Sequence, residues 1–303
     1  MDRIKGVMMV IVSAMGYGLM PLFASWATAA GSSVEMMLFG RFFLASLFLG
    51  GHLLIHQISF KIELKDFFLL LLIGGVGLVA TTQMLFYSYR LIAVSQATAL
   101  HFIYPVAVVI FAIGLKLERL NTSKIVALFL AILGVWFLTK SSLQQLNLMG
   151  IILALCSGIT YAVYVVGVAL PRIARLSRWL ISFYTSLIAS FCYLVLAAFQ
   201  GNFSLQYQLS ALGGIFALAL ISTVLAQIFL MRGIAIIGPF QAAILSTFEP
   251  LVGILVGLVI FAEQLNVLNY LGMFLIIAAL ILVILGREIS RRKLSSSRMK
   301  SSD

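Results

Sequence analysis

Between Gln83 and Lys124 the chain reads Q-M-L-F-Y-S-Y-R-L-I-A-V-S-Q-A, then Y-P-V, then L-E-R-L-N. Between Gln227 and Asn269 it reads Q-I-F-L-M-R-G-I-A-I-I-G-P-F-Q-A, then E-P-L, then A-E-Q-L-N. With one residue of slack, Gln83 aligns with Gln227, Ala97 with Ala242, Pro105 with Pro250, Glu118 with Glu263 and Asn121 with Asn266. The correspondence extends upstream. Gly6, Ser13 and Tyr17 match Gly150, Ser157 and Tyr161, while Phe39, Ala45 and Ser46 match Phe183, Ala189 and Ser190. One unit has been used twice, and a long internal period of this kind dictates the architecture.

Composition says where that unit lives. The 303 residues are 63% hydrophobic and 10% charged, with a mean hydropathy of +1.16. A water-soluble domain has no way to cover so much apolar surface, whereas a bilayer accepts about 20 apolar residues per helical span. The apolar runs predict ten helices, at roughly 6–27, 34–56, 66–89, 95–116, 122–140, 148–170, 179–199, 208–231, 240–261 and 267–286. The runs are too long, and alternate too little, for membrane strands. Ala27-Thr28-Ala29 loosely resembles a signal cleavage site, but Ser13 and Tyr17 have partners in the second copy, so the first span is kept.

Basic residues set the expected orientation. With the N-terminus inside, seventeen Lys and Arg fall at cytoplasmic ends and only Arg90 and Lys140 at outer ends; Arg41 lies within the second span. Both termini are therefore expected in the cytoplasm. The net charge of +11 is an orientation signal rather than a nucleic-acid footprint. The expected units are a first repeat over 1–144, a second over 145–288 and a disordered basic tail over 289–303. Trp26, Trp136 and Trp179 fall near span ends as interfacial anchors.

Five helices per copy is an odd number, so the second copy enters the membrane from the opposite side. The fold class expected is all-α integral membrane, with ten spans in two inverted five-helix repeats. Inverted repeats are the mark of transporters built around a central site near the midplane, where one bundle rocks against the other.

Ionisable groups at that depth are costly and each needs a reason. Glu249 is the sharpest, being the only carboxylate in mid-span; its repeat equivalent is Tyr104. Pro250 and Pro105 follow this pair, and a proline within a helix frees the carbonyl four residues earlier, here Ser246 and His101. Pro21 does the same for Tyr17. Glu249 is read as the partner of a substrate amine or of a proton, with a hydrogen bond between helices as the structural alternative. His101 is a substrate contact, a pH-sensitive group or a neutral ring bonded to a neighbouring helix. Arg41 either extends to the interface or faces the cavity. Tyr17, Tyr87, Tyr104, Tyr161 and Tyr164, with Gln83, Gln227 and Ser246, are further lining candidates, each also able to serve as helix-packing glue. Glu118 and Glu263, at span ends, are caps or gate-closing groups. Cys156 and Cys192 have no metal-binding spacing, and neither metal nor cofactor is expected.

The duplicated unit, F-G-R-F-F-L-A-S-L in the second span, E-P-L in the ninth, and the acidic motifs L-E-R-L-N and A-E-Q-L-N together resemble the drug/metabolite transporter superfamily, specifically its EamA-like ten-helix exporters. The resemblance covers residues 6–286. It implies a cavity lined by spans one to four and six to nine, the fifth span of each copy supporting from outside. It further implies export of amino acids or related metabolites and residence in a bacterial inner membrane. In one respect the chain departs from the pattern: Leu117 and Ala262 stand where a Gly usually precedes the acid. The expected partners are a small-molecule substrate, the bilayer and protons as a coupling ion, with the chain a monomer or weak dimer. Import or facilitated movement of a vitamin, nucleotide-derived metabolite or drug is the alternative on the same fold. No P-loop is present for direct use of ATP, and an enzyme would need clustered His, Asp or Cys that this chain lacks.

Overall fold

The computed structural model describes residues 2–29, 32–92, 94–117, 122–139, 147–201, 209–260 and 267–299. No strand occurs among them. The first copy comprises α1 (Asp2–Gly18), α2 (Met20–Ala29), α3 (Val34–Ile55), α4 (Leu64–Gly74), a π-helical segment (Gly75–Ala80), α5 (Thr81–Leu91), α6 (Val94–His101), α7 (Tyr104–Gly114) and α8 (Thr122–Thr139). The second comprises α9 (Leu148–Gly167), a short α10 (Pro171–Ala174), α11 (Arg178–Phe199), α12 (Leu209–Ala219) and a second π-helical segment (Leu220–Leu225). It continues as α13 (Ala226–Ile237), α14 (Pro239–Leu245), a 3-10 turn (Ser246–Phe248), α15 (Glu249–Ile260) and α16 (Val267–Met299).

Against the ten spans expected, six stretches are long and apolar enough to cross a membrane: Asp2–Thr28, Val34–Ile55, Leu64–Leu91, Leu148–Gly167, Arg178–Phe199 and Ala211–Ile237. Three shorter apolar helices, Tyr104–Gly114, Thr122–Phe137 and Val267–Val283, stand beside them. The expected fourth and ninth spans are each divided within the bundle, α6 from α7 and α14 from α15. The basic tail also differs from expectation. Helix α16 runs through it to Met299, because no Pro follows Gly286 and Lys and Arg are good helix formers that suit a helix C-terminus.

Local chemistry explains the helix ends. Ser33 caps α3 by accepting from the Met36 N–H at 3.2 Å, and the Asn147 side chain caps α9 by accepting from Gly150 N–H at 3.2 Å. Gly238, at φ 89°, reverses the chain between α13 and α14, and Pro239 then occupies the first turn of α14, where it has no N–H to lose.

Packing joins the two copies throughout. The principal interfaces are α1 with α13, α3 with α11, α5 with α9 and α8 with α16. Exchanging the copies maps this set onto itself. The repeat equivalents α3 and α11 run antiparallel: the Gly50 Cα faces Phe183, and His52 near the end of α3 stacks on Trp179 at the start of α11, ring centroids 3.7 Å apart. In lipid no hydrophobic force drives helices together, so small residues and hydroxyls do the work. A Cβ on Gly6 would lie 2.8 Å from Ile236, and one on its repeat equivalent Gly150 would lie 2.8 Å from Ile92. Across α1 and α13 the Ser13 hydroxyl donates to the Ala226 carbonyl at 2.8 Å; across α5 and α9 the hydroxyls of Thr81 and Thr160 meet at 2.7 Å. Each such bond contributes about 0.6 kcal/mol in a membrane protein.

One of these approaches is backbone to backbone across α9 and the first π segment. A Cβ on Gly77, in the first π segment, would lie 2.8 Å from the Tyr164 nitrogen and 2.9 Å from its Cα, whereas one on Gly75 would meet nothing within 4 Å. Gly77→Ala is expected to cost about 1–3 kcal/mol, the usual range for overpacking. Gly75→Ala should leave stability unchanged or slightly raised. Thermal unfolding in detergent of the two variants side by side checks this.

Candidate functional site

Three prolines shape the centre of the bundle. The chain breaks at Leu19 ahead of Pro21, at Phe102–Ile103 ahead of Pro105, and into the 3-10 turn Ser246–Phe248 ahead of Pro250. In each case the ring displaces the carbonyl one turn back and removes a donor. The consequences are local and specific. A Cβ on Gly158 of α9 would lie 2.5 Å from the His101 carbonyl oxygen, so α9 packs directly against the broken turn. Gly18 lies close to the break in the ninth span, 2.8 Å separating its would-be Cβ from the Glu249 carbonyl oxygen. Close backbone packing thus occurs where polar side chains emerge.

These breaks bring together aromatic side chains from both copies. Tyr104 and Tyr161 meet edge to face with centroids 4.9 Å apart, and Tyr161 and Tyr164 lie nearly parallel at 5.9 Å. His101 sits 5.6 Å from Tyr104 and 5.5 Å from Tyr161. Glu249 acts electrostatically on Tyr17, Tyr104 and Tyr161, as does Arg41 on Glu249. The Glu249 carboxylate is half-buried, and no hydrogen bond or ion pair within 4 Å engages it among the described residues. The Tyr17 and Tyr164 hydroxyls are buried with no hydrogen-bond partner among those residues. Tyr104 instead donates to the Ala243 carbonyl at 3.2 Å. Ser246 donates back to the Ala242 carbonyl of α14 at 2.9 Å.

His101 has its tautomer set by its neighbour. Ser157 gives its proton to the Ala154 carbonyl at 2.6 Å, so its oxygen accepts from His101 Nδ1–H at 2.9 Å. The ring is a tether between α6 and α9 through Nδ1.

Arg41 does not extend to the interface. Its side chain is buried and crosses from α3 to the second π segment. There Nε donates to Thr223 Oγ1 at 2.6 Å, Nη2 donates to the Ser222 carbonyl at 3.0 Å and Nη1 faces Met20 Sδ. A π turn widens the helix and exposes carbonyls, and a guanidinium is suited to filling several acceptors at once. The first π segment, at the equivalent place within one residue, is held differently. Tyr193 of α11 donates to the Val79 carbonyl at 3.1 Å and bonds to the Thr82 hydroxyl. Its ring stacks on Phe42 at 5.9 Å, and Phe42 carries the Arg41 guanidinium 5.0 Å above its own ring. Sequence reading missed Tyr193; the signal was a mid-span tyrosine whose repeat equivalent is Leu49.

Other candidates lie apart. Gln227 is fully buried with both amide atoms unpaired, and Gln83 Oε1 is likewise unpaired. Among the described residues, neither side-chain oxygen makes a hydrogen bond to the tyrosine group. Tyr87 is one turn from the end of α5, where its hydroxyl accepts from Gln200 Nε2 at 3.2 Å and its ring carries Arg90 at 5.2 Å. Glu118 and Glu263 lie outside the described residues. An ionic cluster that sequence reading did not assemble joins the start of α4 to α10: Arg172 and Arg175 each pair with both Glu63 and Asp66 at 2.6–3.0 Å. Hydrogen bonds from Arg175 and Arg172 hold the Glu63 carboxyl below its ordinary range. That pairing is complete above the ordinary carboxylate range and is lost as pH falls through the depressed value.

The sequence matches the model of the EamA-like transporter family twice, over residues 4–140 and 148–285. A crystal structure titled only as that of a protein superposes with a TM-score of 0.78, over 92% of this chain and 98% of its own, at 14% identity. That likeness is one of fold alone. No match was found among curated protein sequences.

The anchoring role of Arg41 has a measurable consequence. Arg41→Gln leaves the Ser222 carbonyl and Thr223 hydroxyl short of donors in a dry setting, at an expected cost of about 1–3 kcal/mol. Thr185→Ala, at the repeat-equivalent position, should cost much less, because the Thr185 hydroxyl donates only within its own helix, to Ile181 and Ser182. Thermal unfolding of the two purified variants checks the contrast.

Proposed function

The chain belongs to the EamA-like transporter family, and on that premise we propose that it moves an amine-bearing small metabolite through the tyrosine-lined centre by alternating access. Amino acids and related compounds are the class, and export across a bacterial inner membrane is the direction. The observation that carries the reading is an unpaired carboxylate, Glu249, acting electrostatically on Tyr17, whose buried hydroxyl, like that of Tyr164, has no hydrogen-bond partner among the described residues. Buried polar atoms without partners are rare, and a cluster of them around a charge at membrane depth is what a binding site leaves open for its ligand.

Alternating access rests on the repeats, here taken as 1–144 and 145–288. Antiparallel packing of equivalent helices is the arrangement an in-plane two-fold axis demands, and such a pair can exchange conformations across the membrane. The broken helices at Pro21, Pro105 and Pro250 supply the points about which half-helices pivot. With the basic ends facing the cytoplasm, Glu63, Asp66, Arg172 and Arg175 stand at the inner mouth, so their ion pairs would brace α4 against α10 there. Glu249 is also the mid-span carboxylate able to carry a proton in exchange for substrate.

Counterflow of labelled amino acids and their amine derivatives into proteoliposomes tests the reading. Wild-type protein is expected to accumulate label from this pool. Glu249→Gln, which keeps shape and hydrogen bonding but not charge, should lose at least about tenfold in rate, the equivalent of one charge-assisted contact. Equal rates in both proteins would reduce Glu249 to helix packing.

A further inference from the structure

We infer that a second site, a cavity at the end of the bundle where α7, α9 and α13 finish and α11 begins, binds a small amphiphilic monocarboxylate through Arg178. The inference goes beyond the transport reading and does not depend on Glu249.

Shape and lining set the size and body of the ligand. The cavity has a volume of about 260 Å³ and is enclosed by helix ends of both copies. Leu117, just past α7, comes from the first copy; Val168, Arg178, Ile181, Met231 and Ile234 come from the second. Among the described lining residues, Arg178 alone has a charge or a side-chain nitrogen or oxygen, and the rest of the wall is apolar. An apolar cavity of about 150 Å³ takes a benzene ring, so this one takes a body of about ten heavy atoms. A diacyl lipid is far too large for it, which points to a soluble ligand.

Charge sets the head group. Arg178 is half-buried, and among the described residues its guanidinium makes one hydrogen bond, from Nη1 to the Leu176 carbonyl at a long 3.4 Å, and no ion pair. A guanidinium has five N–H donors, so most of them are open. The acids nearby are already taken: Glu63 and Asp66 pair with Arg172 and Arg175, two charges of each sign. Lys116, next to Leu117, and Arg232, next to Met231, add only positive charge. Arg178 also opens α11, whose N-terminal dipole end has the same sign. A carboxylate answers this arrangement by accepting two parallel N–H bonds from the guanidinium. The ammonium of a zwitterion would find no acid among the described lining residues, so the site favours a monocarboxylate over an amino acid.

Equilibrium binding of tritiated 3-phenylpropanoate to purified full-length protein in a neutral detergent tests the site. Saturable binding is expected. Unlabelled 3-phenylpropanamide, which lacks the charge, and phenylalanine, which adds an ammonium, should each displace the label at least about tenfold less well than the acid itself, the equivalent of one charge-assisted contact. Arg178→Gln should weaken binding by at least about tenfold, and Arg178→Lys by less, because it keeps the charge but not the fork. Ala235 lines the cavity and is exposed, so Ala235→Phe should weaken binding by filling ligand space while thermal unfolding stays unchanged. Absence of saturable binding to the wild type overturns the inference, as does displacement by the amide or by phenylalanine equal to that by the acid. Undiminished binding in Arg178→Gln and Ala235→Phe also overturns it, by moving the anion to another place in the bundle. Wild-type displacement needs no variant, so a poorly folding Arg178→Gln leaves the test intact. Because the readout is binding at this cavity, its failure leaves the transport reading of the Glu249 centre standing, and failure of counterflow leaves this site standing.

Discussion

Every backbone donor and acceptor at membrane depth must find its partner inside the protein, because the hydrocarbon offers none. An unbroken helix meets this condition by itself. This chain departs from unbroken helix in five places within the bundle, two π segments and three proline breaks. At several of them another element is brought in to answer the departure. Arg41 fills the acceptors of Ser222 and Thr223, Tyr193 that of Val79, and Gly158 lets α9 close over the freed carbonyl of His101. Elsewhere the accounting is left incomplete: among the described residues the buried hydroxyls of Tyr17 and Tyr164 and the amide of Gln227 have no hydrogen-bond partner.

Duplication supplies the skeleton and departures from duplication supply the chemistry. Equivalent glycines, Gly6 and Gly150, accept equivalent isoleucines, and equivalent π segments widen equivalent helices. Yet the residues that matter most have unlike counterparts: Arg41 against Thr185, Tyr193 against Leu49, Glu249 against Tyr104. A symmetric frame can rock between two mirror-related openings, while an asymmetric centre binds a ligand that has no symmetry of its own. Burying one positive and one negative side chain without a direct ion pair keeps the carboxylate available, at the cost of desolvating it. The hydrogen-bonded guanidinium stays near enough to act on Glu249 electrostatically.

Much of the candidate site was legible in the sequence because depth in a membrane follows from counting residues along a helix. The proline positions, the lone mid-span acid and the repeat offset place Tyr17, His101, Tyr104, Tyr161, Tyr164 and Glu249 at similar depth, and of these His101, Tyr104, Tyr161 and Tyr164 bring their rings together. What counting cannot reveal is the direction in which a side chain points around the helix axis. Tyr87 shares the repeat with the others, but it reaches Gln200 near the end of α5. Gln83 and Gln227 are at a plausible depth, yet among the described residues their side-chain oxygens find no hydrogen-bond partner. Arg41 could have turned outward or toward the centre; it turned to the second π segment, a feature with no sequence signature in L-I-S-T-V-L.

The sequence by itself determined that the chain crosses the membrane repeatedly and consists of one unit used twice, because hydropathy and internal repetition are properties of the string alone. It also determined where helices must break, since proline removes a donor whatever its surroundings. Tertiary structure alone decided which polar groups are spent on holding the frame and which are left open. That distinction depends on partners more than a hundred residues away, as with Arg41 and Thr223 or Thr82 and Tyr193. The availability of a hydrogen-bonding group is a property of the packed bundle, where each donor is either taken by a neighbouring helix or left for a ligand.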